Sequence, residues 1–223
     1  FYIQETTEYM RQSLKVWAEL GFSFDVVSTG MILSAEQAAL VSDFCEQSAK
    51  KGALVFVDPI MGDEGKLYNG VGEETIAHMR KMVAVADCIV PNYTEAAYLA
   101  DMPYHEDMTE EEARALTIRL HEMGAKSVVV TSAKVDGENC VVGYDGTEGE
   151  FFRIPFDLIP VRFVGTGDIF AAAMLGRLAD GVPLQESTHR AMDAVRTMID
   201  RNRDKEDKYL GIPIETCLEV LDE

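Results

Sequence analysis

The sequence predicts a doubly wound α/β fold, a mostly parallel central sheet flanked by helices, and three observations carry that expectation. ALVFVD (Ala53 to Asp58) and KSVVVTS (Lys126 to Ser132) are short continuous apolar runs, as strands buried on both faces of a parallel sheet require. Such runs alternate with longer segments of helical apolar spacing. From Glu138 to Arg153 the texture changes, and NCVVGYDGTEGEFFRI (Asn139 to Ile154) alternates and is punctuated by glycine, which reads as a short antiparallel meander.

Taken in order, Thr6 or Thr7 can cap a helix in which Met10, Leu14, Trp17 and Leu20 recur at helical spacing, and Gly21 ends it. Phe24 to Gly30 is a strand and turn, Ala35 to about Lys50 a helix, and Ala53 to Asp58 a strand. A helix over Glu73 to Met82, a strand at Asp87 to Val90, a helix from Thr94 and another over Thr109 to Met123 precede the Lys126 strand. After the meander, helices begin at Gly167, Leu184 and Ile214, and the mixed-charge run Arg201 to Lys208 is a solvated helix end. Ligands of such a sheet bind at the carboxyl ends of its strands. Nucleotide-binding domains of this type usually open on a strand, whereas this chain opens on a helix, so residues are expected ahead of Phe1.

Composition narrows the function. The 223 residues are 47% hydrophobic and 26% charged, which suits one domain with a sizeable core. Thirty-nine acidic against 20 basic side chains give a net charge of -19, with no Lys/Arg cluster to meet a phosphate backbone, so nucleic acid is not an expected partner. No apolar stretch approaches the ~20 residues of a membrane span. FYIQETTEYM lacks the features of a signal peptide, which points to the cytoplasm. Cys45, Cys88, Cys140 and Cys217 form no C-x-x-C pair and read as reduced thiols, and the four histidines are equally scattered.

Three motifs follow apolar strands or open a helix. In VGTGD, Gly165 and Gly167 let the main chain approach an anion, and the first amides of the next helix point at it. Asp168 in that first turn suits a base for a hydroxyl that attacks a phosphoryl group. The competing reading is a plain helix cap, with Thr166 or Asp168 satisfying free amides. VDPIMGDEGKLY leaves a strand at Asp58 and presents Asp63 on a Gly-rich loop; Asp63 with Glu95 of PNYTEA is enough acid for Mg²⁺, which also takes phosphate and water. Local turn and dipole roles explain Asp58 and Glu95 equally well one at a time. G-x-x-x-x-G-K-[ST], an early G-x-G-x-x-G and G-x-S-x-G do not occur.

DPIMGDEGKLY, VPNYTEA, VVVTS and VGTGD, in this order and at these separations, resemble the ribokinase-like superfamily and most closely its pyridoxal kinase branch, from about Thr6 to the last helix. The resemblance implies a three-layer α/β/α kinase domain over residues 1–223, without the family's first strand and helix. It implies ATP-dependent phosphorylation of the 5′-hydroxymethyl group of pyridoxal, pyridoxine or pyridoxamine. Asp168 would be the base beside the substrate, and Gly165, Thr166 and Gly167 the anion hole. Asp63 and Glu95 would organise Mg²⁺, with Asp58 and Asn92 near the phosphates. Thr131 and Ser132 would lie along the triphosphate or a monovalent cation such as K⁺, and Val164 beside the nucleotide. Relatives are often homodimers.

Two positions depart from the pattern. Met31 in STGMIL stands where pyridoxal kinases usually place the tyrosine of T-G-Y, and it supplies neither flat ring nor hydroxyl. Val90 stands before Pro91 where relatives often have threonine. A hydroxymethylpyrimidine kinase of thiamine synthesis shares the fold and the closing motif, although G-D-x-G-x-L-Y at Gly62 to Tyr68 favours the pyridoxal branch. A ligand-binding relative without turnover is the third reading.

Overall fold

The computed structural model describes residues 4–221. Its elements run α1 (Thr7–Glu19), β1 (Val26–Thr29), α2 (Ala35–Ala49), β2 (Leu54–Val57), β3 (Gly62–Asp63), β4 (Lys66–Leu67), α3 (Glu74–Val83), β5 (Cys88–Ile89), α4 (Tyr93–Ala100) and α5 (Glu110–Glu122). Then follow β6 (Ser127–Val135), β7 (Glu138–Asp145), β8 (Glu150–Pro155), α6 (Thr166–Ala179) and α7 (Leu184–Asn202). The main sheet has the order β1-β2-β5-β6-β7-β8; its first four strands are parallel and the last three antiparallel.

The apolar runs explain the layering, because successive strand residues point to opposite faces. Val55, Val57, Ile89, Val128 and Val130 join one buried cluster with Val41, Met79, Leu99 and Leu116 of α2 to α5. Phe56, Cys88, Val90 and Val129 join another with Phe170, Met174, Leu184 and Ala191 of α6 and α7. Each fully buried aliphatic or aromatic side chain contributes about 1.5–3 kcal/mol. A strand with both faces covered must therefore be apolar throughout, as these are.

Among the described residues the parallel strands advance in one direction across the sheet, and the second helix layer comes from α6 and α7, after the meander. Two expectations need correction. Ile214 opens no α-helix: Ile214–Thr216 and Leu218–Leu221 are 3-10 turns. Helix α1 packs Met10, partly buried, against the main core. Thr7 is its one buried residue, Leu20 is 64% exposed, and Trp17 lies on the surface against Phe24 and Phe44 with ring centroids 5.5 and 6.3 Å away. Neither threonine side chain caps that helix; the Thr7 amide donates to Glu5 Oε1 at 3.0 Å. All four cysteines are free and buried. No helix among the described residues is long and apolar enough to cross a membrane.

Candidate active site

Most of the candidate site residues lie near the carboxyl ends of the parallel strands. β2 ends at Val57, and Asp58 still belongs to the sheet through its amide, which donates to the Thr29 carbonyl at 3.0 Å. Its carboxyl lies in a partly buried position just beyond. Burial pushes that carboxyl up to about 7, and the charge of Asp168 adds to the effect. Two acids from residues far apart in sequence are thus brought within electrostatic reach.

After Asp58 the chain makes the β3–β4 hairpin, which pairs Gly62 with Leu67 and Asp63 with Lys66. Only Glu64 and Gly65 remain in the turn, with φ of 52° and 77°, the two left-handed residues of a type I′ turn. Gly62 is required by the chain itself, since a Cβ there would lie 2.4 Å from the Lys66 carbonyl oxygen. The sequence reading took this stretch as a loop because nothing in Asp-Glu-Gly-Lys singles out Glu64 for positive φ.

The N-terminus of α4 clamps this hairpin. Asn92 and Glu95 form a reciprocal capping box: Asn92 Oδ1 accepts from the Glu95 amide at 3.0 Å, and Glu95 Oε2 from the Asn92 amide at 2.9 Å. The Asn92 amide side chain donates to the Gly62 carbonyl at 2.7 Å, and Thr94 Oγ1 accepts from the Gly65 amide at 2.8 Å. Glu95 Oε1 accepts from the Met61 amide at 2.9 Å and reaches that of Gly62 at 3.4 Å. Burial pushes the Glu95 carboxyl up to about 8 against the lowering by these amides, and Asp58 raises it further. Glu95 is 3% exposed, so it shapes the hairpin from beneath.

Asp63 faces outward from the same hairpin, and Arg162 reaches it from the loop that precedes α6. Arg162 Nη2 donates to Asp63 Oδ2 at 3.0 Å, and Nη1 to Glu64 Oε1 at 2.6 Å. The Tyr68 hydroxyl ties the neighbourhood together: burial first, then Asp63 and Glu95, raise its pKa, with Asp58 adding and Arg162 opposing. Asp58, Asp63, Glu95, Tyr68 and Arg162 therefore share one electrostatic neighbourhood, linked to Asp168 through Asp58.

At the start of α6, Gly165 is the N-cap residue in the left-handed region, with φ 84° and ψ 7°. The first helical bond runs from the Ile169 amide to the Gly165 carbonyl at 3.1 Å, so the amides of Thr166, Gly167 and Asp168 precede the helical ladder. No side chain caps them. A Cβ on Gly167 would meet nothing within 4 Å. Asp168 is exposed and makes no hydrogen bond or ion pair to another described residue, so the capping role open to it in the sequence is not taken.

The remaining sequence candidates sit around this edge. Thr131 and Ser132 form a bulge in β6, where the register with β7 shifts between Val130 and Ala133 and Ser132 takes φ 55°. The Thr131 amide donates to the Pro91 carbonyl at 3.0 Å, which sets the bulge beside Asn92. Val164 and Met31 are 61% and 45% exposed, and among the described residues no hydrogen bond joins either to the acids. Sequence reasoning missed Arg162 and Thr94. Arg162 had one available signal: it is the lone basic residue between Arg153 and Arg177, three positions before Gly165.

The chain is similar to several known proteins. A pyridoxal kinase of Arabidopsis thaliana is 32% identical over 171 residues, which are 73% of this chain and 53% of that protein. The chain thus spans about half the length of this curated relative. A Bacteroides thetaiotaomicron structure described as a phosphomethylpyrimidine kinase, in a form with pyridoxal, superposes with a TM-score of 0.93 at 31% identity, covering 100% of this chain and 79% of that one. The pyridoxal kinase of Lactobacillus plantarum superposes with a TM-score of 0.85 at 26% identity, covering 99% and 79%. These likenesses bear out the ribokinase-like three-layer architecture expected from the motifs. The family model described as phosphomethylpyrimidine kinase matches residues 4–211, from before α1 to past α7, and to that family the chain belongs.

Proposed function

We propose that residues 1–223 act as one kinase domain that binds ATP at the carboxyl edge of the sheet. Its γ-phosphoryl group passes to the 5′-hydroxymethyl oxygen of pyridoxal, with pyridoxine and pyridoxamine as further acceptors. The observation that carries this reading is Asp168: a carboxylate with no hydrogen-bond or ion-pair partner among the described residues, in the first turn of a helix whose leading amides no side chain caps. A carboxylate left open beside an anion site is suited to take a proton.

In the proposed step Asp168 accepts the hydroxyl proton as the new O–P bond forms. The bond from γ-phosphorus to the bridging oxygen breaks, and ADP leaves with that electron pair. The amides of Thr166, Gly167 and Asp168 meet the charge on the transferring oxygens. Gly167 supports this role because the fold leaves room for a side chain there and the sequence places none. Asn92, Thr131 and Ser132 border the same edge, where the resemblance puts triphosphate and a monovalent cation such as K⁺.

For Mg²⁺, which needs only one or two carboxylates when phosphates supply the rest, Asp63 offers a partly exposed carboxylate, while Glu95, buried with both oxygens accepting backbone amides, supports the hairpin that carries it. Burial raises the Asp58 and Glu95 carboxyls to about 7 and about 8, a shift that a bound cation would oppose. A bound Mg²⁺ would neutralise the phosphates. A cytoplasmic homodimer completes the reading and rests on the family likeness alone.

The family description favours a second reading, phosphorylation of hydroxymethylpyrimidine or its phosphate. Coupled ADP release with pyridoxal and with hydroxymethylpyrimidine separates the two. The first reading expects turnover with pyridoxal; turnover confined to the pyrimidine would replace it. ATP binding without turnover on either would make the chain a non-catalytic relative, a reading that exposed Met31 motivates.

A further inference from the structure

Five carboxyl groups, Asp58, Asp63, Glu64, Glu95 and Asp168, line or adjoin the edge where a polyanionic nucleotide is proposed to bind. Arg162 is the one cation bonded to any of them among the described residues. Its two hydrogen bonds are also the ones that join the loop before α6 to the β3–β4 hairpin. The guanidinium is 74% exposed, and Glu64 is 75% exposed. Exposed pairs of this kind hold weakly. A planar fork that grips carboxylates grips phosphate oxygens with the same geometry.

We propose that Arg162 is a phosphate-binding residue that is stored on the hairpin acids until nucleotide arrives. This rests on the kinase reading above. In the free protein it is held by Asp63 and Glu64. When those acids turn to other charge, the guanidinium swings onto the outer phosphates of ATP, three residues from the amides that open α6. The exchange offsets the repulsion that five acids would otherwise exert on the triphosphate. It also ties the nucleotide to the start of α6 once the phosphates are in place.

The test is calorimetric titration of the chain with AMP, ADP and ATP, each with Mg²⁺, using the wild type, Arg162→Met, Arg162→Lys and Glu64→Gln. The expected result is a roughly tenfold or greater loss of ATP affinity in Arg162→Met, with AMP affinity unchanged and partial recovery in Arg162→Lys. Glu64→Gln removes a competing partner and should tighten ATP, which a merely structural Arg162 would not do. Equal losses for AMP and ATP would reduce Arg162 to a loop tether and overturn the proposal, as would unchanged ATP affinity. A wild type that binds none of the three nucleotides would instead defeat the kinase reading on which the proposal stands.

Discussion

The carboxyl of Asp58 is pushed up to about 7, by its own burial first and by the charge of Asp168 second. Asp58 follows the last residue of β2 and Asp168 lies in the first turn of α6, so the strand end and the helix start bring two acids within electrostatic reach. Acids that repel each other at the edge of a cleft suit a site where a cation or a proton is handled.

Asp168→Asn keeps the size of the side chain and removes its capacity to accept a proton. It should lower kcat on the order of 10²-fold or more while leaving ATP affinity within about twofold. The same change should bring the Asp58 carboxyl down, because one of the two causes of its elevation is gone. Single-turnover phosphoryl transfer and NMR titration of Asp58 check the two effects separately.

The sign of the pH dependence follows from the same acids. Asp58 rises from an ordinary 3.8 to about 7 and Glu95 from 4.5 to about 8, so the folded chain binds more protons than the unfolded chain between those values. This contribution is full below the unfolded values and is lost as pH rises through the folded ones. The nucleotide-free chain should therefore lose stability between about pH 5 and pH 8 on this account. Asp58→Asn should flatten that fall and raise stability at pH 8 by on the order of 1–3 kcal/mol. Chemical denaturation of both proteins at pH 5 and pH 8 measures the difference.

Two glycines should respond in opposite ways. Gly62→Ala places a Cβ 2.4 Å from the Lys66 carbonyl oxygen and should open or distort the hairpin, at a cost of about 1–3 kcal/mol. Gly167→Ala meets open space in a helical position and should stabilise the fold by about 0.5–1 kcal/mol. If the α6 amides hold phosphate, that second variant should nonetheless bind ATP at least several-fold more weakly. Melting curves paired with ATP titration give both readouts.

Asn92 joins α4 to the hairpin through its cap to the Glu95 amide and its bond to the Gly62 carbonyl. Asn92→Ala should cost about 1–2 kcal/mol. The Gly62–Leu67 amides should lose hydrogen-exchange protection before the β6 amides do.

How much of this was legible varied with the locality of the cause. ALVFVD and VVV announced buried strands because burial on both faces leaves no polar position. The α6 opening was visible as two glycines spending helix propensity for no local return. The hairpin was hidden because Glu64 takes a left-handed conformation usually left to Asn, Asp or Gly. Arg162 was hidden because its partners lie 98 and 99 residues away. On α1 the spacing reported the helix but not what covers its apolar face.

The most direct measurement is ADP and phosphorylated product formed from ATP, Mg²⁺ and pyridoxal by the wild type and by Asp168→Asn, with ATP binding to each followed in parallel. The account predicts pyridoxal 5′-phosphate and ADP in equal amounts from the wild type, and a variant that binds ATP but scarcely turns over. Equal rates from the two proteins would contradict it.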